Sequence, residues 1–212
     1  YRSYYKNTTD GFTGDTTGYH FWKFATDGWT VLGDKNDKDG YGYYSPNEYT
    51  IKYDSNGATS GVMKNGAVKG DAEVSSLKYD VSYKLKTNTY KKTGYHFMGW
   101  ATSKSGYVVY SDGTSVSNLT SKNGATITLY AIWEPNKYTV VYNGNGATSG
   151  GVASQTCYYD SEYSYAKNAG PGYKKEDRTS RSLFVGWGTD KSSTGNINTP
   201  GTKFKNLTDV DG

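Results

Sequence analysis

The stretch PNEYTIKYDSNGATSG, residues 46–61, decides how the chain is organised, because it returns as PNKYTVVYNGNGATSG at residues 135–150. In the first copy Tyr49, Ile51 and Tyr53 alternate with polar residues, which is the two-residue period of a strand with one buried face. An Asn-Gly pair follows in each copy and supplies the positive φ of a tight turn. The chain is therefore predicted to build the same strand and turn twice, 89 residues apart.

Two further motifs recur in the same order, so the repeat is a tandem one. GYHFWKFAT at residues 18–26 matches GYHFMGWAT at residues 94–102, and a third version, LFVGWGTDKSSTG, begins at Leu183. SVSNLTSKNG at residues 115–124 matches KFKNLTDVDG at residues 203–212. With boundaries at the two Pro-Asn linkers, the predicted domains are a first partial repeat that lacks its opening strand (1–48), a complete second repeat (49–137) and a third repeat that lacks its closing strand (138–212).

The spacing between motifs predicts where the loops lie. The second repeat carries a nine-residue insertion around MKNGAVKGDAEV (63–74), and the third carries a four-residue insertion within KKEDRTSRS (174–182). Surface loops tolerate such insertions at low entropic cost, so both are expected to be loops. The linkers are only about three residues long and contain proline, which favours a semi-rigid string of modules over a floppy tether.

Within the complete repeat the pattern predicts four strands. They are Tyr49–Tyr53, a strand near Leu77–Leu85, a strand over Tyr95–Ala101, and ATITLYAIW (125–133). In the last of these Ile127, Leu129, Ala131 and Trp133 face one way. Such a module buries only one modest face and would be marginally stable alone.

The composition agrees with small β-modules and excludes several functions. The 212 residues include 23 Tyr and 27 Gly but only 34% hydrophobic residues, and no segment has a sustained helical period. The expected fold is therefore mostly β, α+β at most, with several small cores. The net charge of +4 is spread along the chain with no basic stripe, so no nucleic-acid partner is expected. The single cysteine, Cys157, excludes an internal disulfide, and the start at Tyr1 without Met predicts an excerpt or a processed chain.

The candidate chemical residues are better interpreted as structural ones. His20 and His96 occupy the same repeat position without a recurring partner, which favours strand residues with local contacts. Trp100, Trp133 and Trp187 could form a sugar-stacking platform, but their fixed positions in the repeat favour core anchors. The predicted structural core of the repeats comprises Phe97, Trp100, Leu129, Trp133, Phe184 and Trp187.

No cofactor or metal is predicted. In DKNDKDG (34–40), alignment of Gly40 with the glycine of a calcium loop places Lys35 where the first Asp belongs and Pro46 where the Glu belongs, which favours a solvated loop. The segment GNGATSGG (144–151) follows a strand without leading into a helix, so it is not expected to cradle phosphate.

Taken together, YTIKYDSNGATSG, GYHFMGWAT and NLTSKNGATITLYAIW resemble the internalin B-repeat, also called the Listeria–Bacteroides repeat. The resemblance covers essentially the whole chain in three partial or complete copies. It implies a small β-grasp (ubiquitin-like) module, and a secreted, often wall-anchored bacterial surface protein with a stalk, spacer or adhesion role and no catalysis. The first repeat departs most, since Lys23 and Phe24 replace Gly99 and Trp100.

The expected function is therefore a non-enzymatic extracellular repeat array at a Gram-positive-type cell surface, with cell-wall attachment outside this segment. The alternative is an adhesion module whose exposed Tyr-rich faces bind a glycan or a protein of a host or a neighbouring cell. An exposed patch that recurs between copies would favour the alternative. The third repeat also predicts an unpaired strand edge, which favours strand exchange with an adjacent repeat or chain.

Overall fold

A computed structural model describes residues 2–6, 17–24, 40–63, 72–168, 172–174, 183–192 and 195–212. All regular structure in these ranges is β-strand, which confirms the prediction of a mostly β chain. The strands are β1 (Arg2–Lys6), β2 (Tyr19–Phe24), β3 (Gly40–Pro46), β4 (Glu48–Asp54), β5 (Ala72–Lys78), β6 (Tyr83–Lys84), β7 (Tyr95–Ala101), β8 (Ser115–Val116), β9 (Ala125–Pro135), β10 (Lys137–Val140), β11 (Gln155–Tyr158), β12 (Tyr163–Ser164), β13 (Trp187–Gly188), β14 (Ile197–Asn198) and β15 (Lys203–Phe204).

The chain forms two compact units. Unit 1 comprises Tyr1–Lys91 and Phe97–Ile132, and unit 2 comprises Lys92–His96 and Trp133–Gly212. The segment Lys92–His96 thus belongs to the second repeat by sequence and to unit 2 by its contacts. The domain boundaries inferred from the repeats, at residues 48 and 137, stay a prediction.

The central feature of the complete repeat is a mixed four-stranded sheet in the order β5-β4-β9-β7. Strand β4 pairs antiparallel with β5 on one side and parallel with β9 on the other, from Tyr49 opposite Ala125 to Asp54 opposite Tyr130. Strands β6 and β8 form a separate antiparallel pair, and β1, β3 and β2 form an antiparallel sheet in that order. The opening strand of the repeat therefore lies in the interior of its sheet.

The side chains of β4 alternate between the two faces of the sheet, and those on one face form the core of unit 1. Tyr49, Ile51 and Tyr53 are each about 1% exposed, so the predicted buried face of this strand is confirmed. The ring of Tyr53 meets the fully buried Trp100 edge-on, with ring centroids 4.9 Å apart. Leu129 is fully buried from the neighbouring strand β9, so the opening and closing strands of the repeat supply one common apolar face.

The second strand differs from the prediction. A single strand near Leu77–Leu85 is wrong, because Asp80 adopts a left-handed φ of 60° and turns the chain between β5 and β6. The insertion at residues 63–74 is only partly a loop, since Ala72–Val74 pairs with β4 and Met63 is 2% exposed. A register shift between Tyr49 and Ile51 lets β5 follow β4 through this added segment.

Unit 2 builds a second core from the third repeat. Its strands form the antiparallel pairs β10–β11, β12–β15 and β13–β14. These pairs cover a cluster of buried side chains: Tyr138, Tyr142, Cys157, Tyr165, Trp187 and Phe204. Compared with their counterparts in the second repeat the strands are short, four residues for β10 against seven for β4 and two for β13 against seven for β7.

Cys157 is expected to report on the integrity of the unit 2 core. Its side chain is fully buried, and this burial raises the pKa of the thiol, which lowers the thiolate fraction at neutral pH. Alkylation by iodoacetamide should therefore be at least about 100-fold slower in the native chain than in urea, since a buried thiol is inert until the structure opens.

The matched control moves the thiol by one residue. In a double variant with Cys157→Ser and Tyr158→Cys, the new thiol takes the place of a side chain that is 43% exposed, and labelling should be fast without denaturant. Equal native labelling rates in the two chains would contradict the buried position of Cys157.

Candidate functional site

The most elaborate polar site lies at the second Pro-Asn linker and is centred on Asn136, which is only 9% exposed. Its backbone N–H donates to the Gly94 carbonyl oxygen at 2.8 Å, and its own carbonyl oxygen accepts from the Tyr159 N–H at 2.9 Å. Its side-chain amide donates to the Asp209 carbonyl oxygen at 2.7 Å. One buried residue thus connects three segments of unit 2, and we call this arrangement the Asn136 cluster.

Unit 1 contains the same arrangement around Asn47, which is 7% exposed. Its N–H donates to the Gly18 carbonyl oxygen at 2.6 Å, and its carbonyl oxygen accepts from the Tyr79 N–H at 2.9 Å. The side-chain amide again donates to a main-chain oxygen, that of Ser121, at 2.6 Å. Because the residues of both linkers make the same hydrogen bonds with matched partners, the cluster is a regular structural feature of the repeat.

The glycine of each GYHF motif makes room for a tyrosine ring. A Cβ atom on Gly94 would lie 2.2 Å from the ring of Tyr159, and one on Gly18 would lie 2.1 Å from the ring of Tyr79. Both glycines also have a left-handed φ, of 73° and 80° respectively. Steric space and backbone conformation therefore both require glycine at this position.

A reciprocal pair of hydrogen bonds fixes the turn beside each cluster. In unit 2 the Asp160 N–H donates to Asn206 Oδ1 at 2.6 Å, and Asn206 Nδ2 donates to Asp160 Oδ1 at 3.0 Å. In unit 1 the Asp80 N–H and Asn118 repeat both bonds with the same lengths. All four residues have left-handed φ values, which Asn and Asp tolerate better than most residues.

Asp160 is the most strongly stabilised carboxylate of the Asn136 cluster. Besides the bond from Asn206, it accepts one from the Tyr95 hydroxyl at 2.9 Å and lies 3.3 Å from Lys205 Nζ. These donors, the Asn206 side chain first and Tyr95 next, hold the pKa of the Asp160 carboxyl below its ordinary value. The group is a fixed acceptor, and it would be a poor general base.

His96 takes part in the same cluster. Its Nδ1 lies 3.0 Å from Asn136 Oδ1 and its Nε2 lies 3.2 Å from Glu134 Oε2, while 44% of the side chain is exposed. This is the local hydrogen bonding that its place in a strand led us to expect. Within the described ranges no three His, Cys, Asp or Glu side chains gather as metal ligands do. His20 lies in β2, and its side chain is outside the described part of the chain.

The six predicted core residues differ in how deeply they are buried. Trp100 and Leu129 are fully buried and Trp187 is 8% exposed, whereas Phe97 and Trp133 are half-buried and Phe184 is 40% exposed. The two Phe rings nevertheless contact their Trp neighbours in the same way, with centroids 5.0 Å and 4.8 Å apart. Trp100 and Trp187 present no open ring face on which a sugar could stack.

Two other sequence candidates have simple outcomes. The loop Asn143–Gly150 and Tyr173 line an open pocket of about 300 Å³, and no helix follows the loop to supply the N-terminus that a phosphate cradle uses. The calcium-like segment falls on residues 34–39, which are outside the described residues. Among those that are described, no helix has the length and hydrophobicity needed to cross a bilayer.

Sequence reasoning missed the two asparagine clusters. It treated the Pro-Asn linkers as boundaries and assigned no role to Asn118 or Asn206. The available signal was identity between copies, because Pro-Asn, Gly-Tyr, Tyr-Asp and Asn-Leu-Thr all recur at matched places.

Comparison with known proteins agrees with the repeat. Residues 49–132 match the family described as the Listeria–Bacteroides repeat domain, which confirms the resemblance for the second repeat; the internalin B-repeat assignment stays a prediction. A protein of Evansella cellulosilytica, provisionally named a Gly-rich membrane protein, is 32% identical over 119 residues, which cover 54% of this chain and 13% of that protein. Another from the same organism, provisionally named a membrane protein, is 28% identical over 166 residues, covering 78% of this chain and 21% of that protein. The chain therefore spans less than a quarter of either relative. No solved structure matches it.

Gly94→Ala is expected to destabilise unit 2 by about 2–4 kcal/mol, because the new Cβ meets the Tyr159 ring and the backbone must keep a left-handed φ. The control is Gly146→Ala in the same unit, where φ is 83° but no atom lies within 4 Å. It should cost only the conformational part, about 1–2 kcal/mol. Urea dependence of Cys157 alkylation measures both, and equal losses would exclude the ring contact as a cause.

Asp160 is expected to titrate below the ordinary Asp value of about 3.9. Because its folded-state pKa is lowered, its contribution to the free energy of unfolding is present above the unfolded-state pKa and is lost as the pH falls through the folded value. Tyr95→Phe should move the pKa of Asp160 upward, and Asn206→Ala should move it further.

Carboxyl NMR titration measures these shifts. Asp190 is an internal control, since a backbone hydrogen bond from Ser192 lowers its pKa independently of the cluster. A shift of Asp190 in the Tyr95→Phe chain, or none of Asp160, would refute the assigned cause.

Proposed function

We propose that this chain is part of a non-enzymatic extracellular repeat array that acts as a stalk or spacer of a bacterial cell-surface protein. The observation that carries the proposal is that the three hydrogen bonds of Asn136 recur with matched partners around Asn47 at the other linker. A hydrogen-bond network that recurs in both repeats favours a structural role, in which the function of the protein depends on the repeats being folded and stacked in series.

The positions that differ between repeats support the same role. In the cores, Leu77 and Leu85 become Cys157 and Tyr165 while all four side chains stay buried. An exposed position differs in chemical type between repeats: it is His96 in the second repeat and Leu183 in the third. Packing and turns are thus maintained, whereas the histidine shared by the first two copies is absent from the third.

The surroundings of three ionisable side chains in the described residues also favour a non-enzymatic role. Asp160 and His96 are engaged with backbone and side-chain partners of the fold, and Cys157 is buried with a raised pKa. None of these three is prepared as an acid, base or nucleophile toward a substrate.

The relatives support a surface location. Both Evansella cellulosilytica proteins are provisionally named membrane proteins, and the matched repeat family agrees with the surface role that the sequence implies. We propose that the array is held outside the cell, with wall attachment in parts of the protein beyond this segment. We also propose a β-grasp-type module, supported by the mixed sheet with its first and last strands parallel.

A second function, adhesion, is favoured by one observation. Exposed apolar side chains recur at matched positions beside the Gly-Trp pair: Met98 (46%) and Val109 (56%) in unit 1, and Val185 (65%) and Ile197 (40%) in unit 2. Single exposed apolar residues are ordinary, but the recurrence of a patch is what a repeated binding surface would produce. Its partner would be a glycan or a protein of a host or a neighbouring cell.

Small-angle scattering on one, two and three tandem copies of this 212-residue chain tests the stalk. A stalk predicts that the maximum dimension increases by a constant increment with each copy, because each repeat contacts only its neighbours. Growth with about the cube root of mass, as in a globular assembly, would contradict it.

Glycan arrays and cell-binding assays test the second function with the same chains. Met98→Lys combined with Val185→Lys should abolish binding if the recurring patch is adhesive, and should leave the increment per copy unchanged. Absence of any binding together with constant increments would favour the stalk alone.

A further inference from the structure

A pulling force that passes along the chain enters the second repeat at β4 and leaves it at β9. Strand β3 ends at Pro46 and β4 begins at Glu48, while β9 ends at Pro135 and β10 begins at Lys137. A single residue therefore separates each of the two strands from its neighbour in the chain. Linkers this short deliver tension directly to β4 and β9, because they have almost no length to extend first.

The parallel direction of the two strands determines how they meet that tension. Tyr49 at the start of β4 lies opposite Ala125 at the start of β9, and the pairing continues to Asp54 opposite Tyr130. The entering chain is therefore attached at one end of the pair and the leaving chain at the other. Tension between them pulls β4 and β9 past each other along their axes, so the six residue pairs bear the force together.

Sliding of β4 along β9 would also disrupt the core. The side chains of Tyr49, Ile51 and Tyr53 are each about 1% exposed, and Leu129, which lies opposite Tyr53 on β9, is fully buried. A displacement by one residue would place each buried side chain opposite a residue of the other face, which the apolar face of the sheet does not accommodate. Packing and hydrogen bonds therefore hold the same register.

Further hydrogen bonds fasten both ends of the pair. At the entry end the Gly124 N–H donates to the Glu48 carbonyl oxygen at 2.7 Å, and the Glu48 N–H donates to Asn123 Oδ1 at 3.0 Å. At the other end Asn56 Nδ2 donates to the Ala131 carbonyl oxygen at 2.8 Å. This amide joins the turn after β4 to the part of β9 that lies just beyond the last residue pair.

We propose that β4 and β9 of the second repeat form a mechanical clamp, which keeps the repeat folded when the array is under tension. This inference rests on the proposed stalk, because a stalk transmits pulling forces between the cell surface and whatever its far end holds. It adds a specific function to the repeat, namely resistance to force in the direction that the chain itself imposes.

Single-molecule pulling in two directions tests the clamp. Both chains are the 212-residue protein with Cys157→Ser and two new cysteines at exposed positions, to which the pulling handles are attached. In the first chain Glu48→Cys and Lys137→Cys load the pair in shear. In the second chain Glu48→Cys and Lys122→Cys pull both strands from their starts and peel them apart.

The force at which the repeat unfolds should be at least about twice as high in shear, because six residue pairs break together in shear and one at a time in peeling. The length gained identifies the event. At about 3.4 Å per residue the segment 48–137 reaches about 300 Å when extended, against about 35 Å for the eleven residues of β9 in the fold, so the gain should be about 270 Å.

Asn56→Gly distinguishes the clamp from general stability. Glycine keeps the left-handed φ of 47° at this position but removes the amide that bonds to β9. The shear force should fall, whereas the force that begins peeling should not change, because peeling starts at the opposite end of the pair. The matched control is Asn145→Gly, which changes the corresponding turn of unit 2 at a φ of 44° and should alter neither force.

Equal forces in the two directions would overturn the clamp, and so would an Asn56→Gly chain in which both forces fall alike or neither falls. The stalk would survive these results if the scattering of tandem copies still showed a constant increment per copy. A higher force in shear, together with growth as the cube root of mass, would support the clamp and refute the stalk. The two failures are therefore distinguishable.

Discussion

The parallel pairing of β4 with β9 is the interaction on which the rest of the repeat depends. It joins the first strand of the complete repeat to its last, so it closes the repeat through residues that are far apart in the sequence. Tyr53, Leu129 and Trp100 become buried together only because these two strands lie side by side. The central pair therefore brings the two ends of the repeat together over one buried face.

A repeat with so few large aliphatic residues needs polar bonds to fix its turns, and Asn47 and Asn136 supply them. Each residue uses its N–H, its carbonyl oxygen and its side-chain amide on main-chain groups of distant segments. Satisfied buried amides specify one arrangement, since an alternative that leaves them unpaired costs about 1–3 kcal/mol per group. The adjacent Gly-Tyr contact adds a steric requirement at Gly18 and Gly94 that a side chain would violate. Hydrogen bonding and close backbone approach thus provide part of the specificity that a large apolar core gives other domains.

Features of the fold that depend on neighbouring residues could be predicted from the sequence, whereas contacts between residues far apart in the sequence could not. Strands β4, β7 and β9 and the buried face of β4 were predicted, because period-two alternation and Asn-Gly turns are local signals. The second strand was placed too late, because β5 uses residues of an insertion and its end is set by the left-handed turn at Asp80. The pairing of Asp160 with Asn206 could not be inferred from composition or period, since it joins residues 46 apart through a backbone N–H. The sequence shows only that both residues recur between copies, and this recurrence does not identify the atoms that form the hydrogen bonds.

The same physical reasoning bears on whether stalk and adhesin are competing functions. Met98 and Val109 in one unit, and Val185 and Ile197 in the other, are exposed apolar side chains at matched positions, but the residue types differ between the units. Exposed apolar side chains that change between repeats suit a weak, tolerant contact better than a selective one, since a selective pocket orients its ligand with placed polar groups. Weak contacts become strong when they are presented in series, since each bound repeat raises the effective concentration of the next. An array whose linkers repeat the same bonds would present such patches at regular intervals. Spacing and adhesion would then follow from one property, the fidelity with which the Asn47 and Asn136 clusters rebuild the same geometry at each linker.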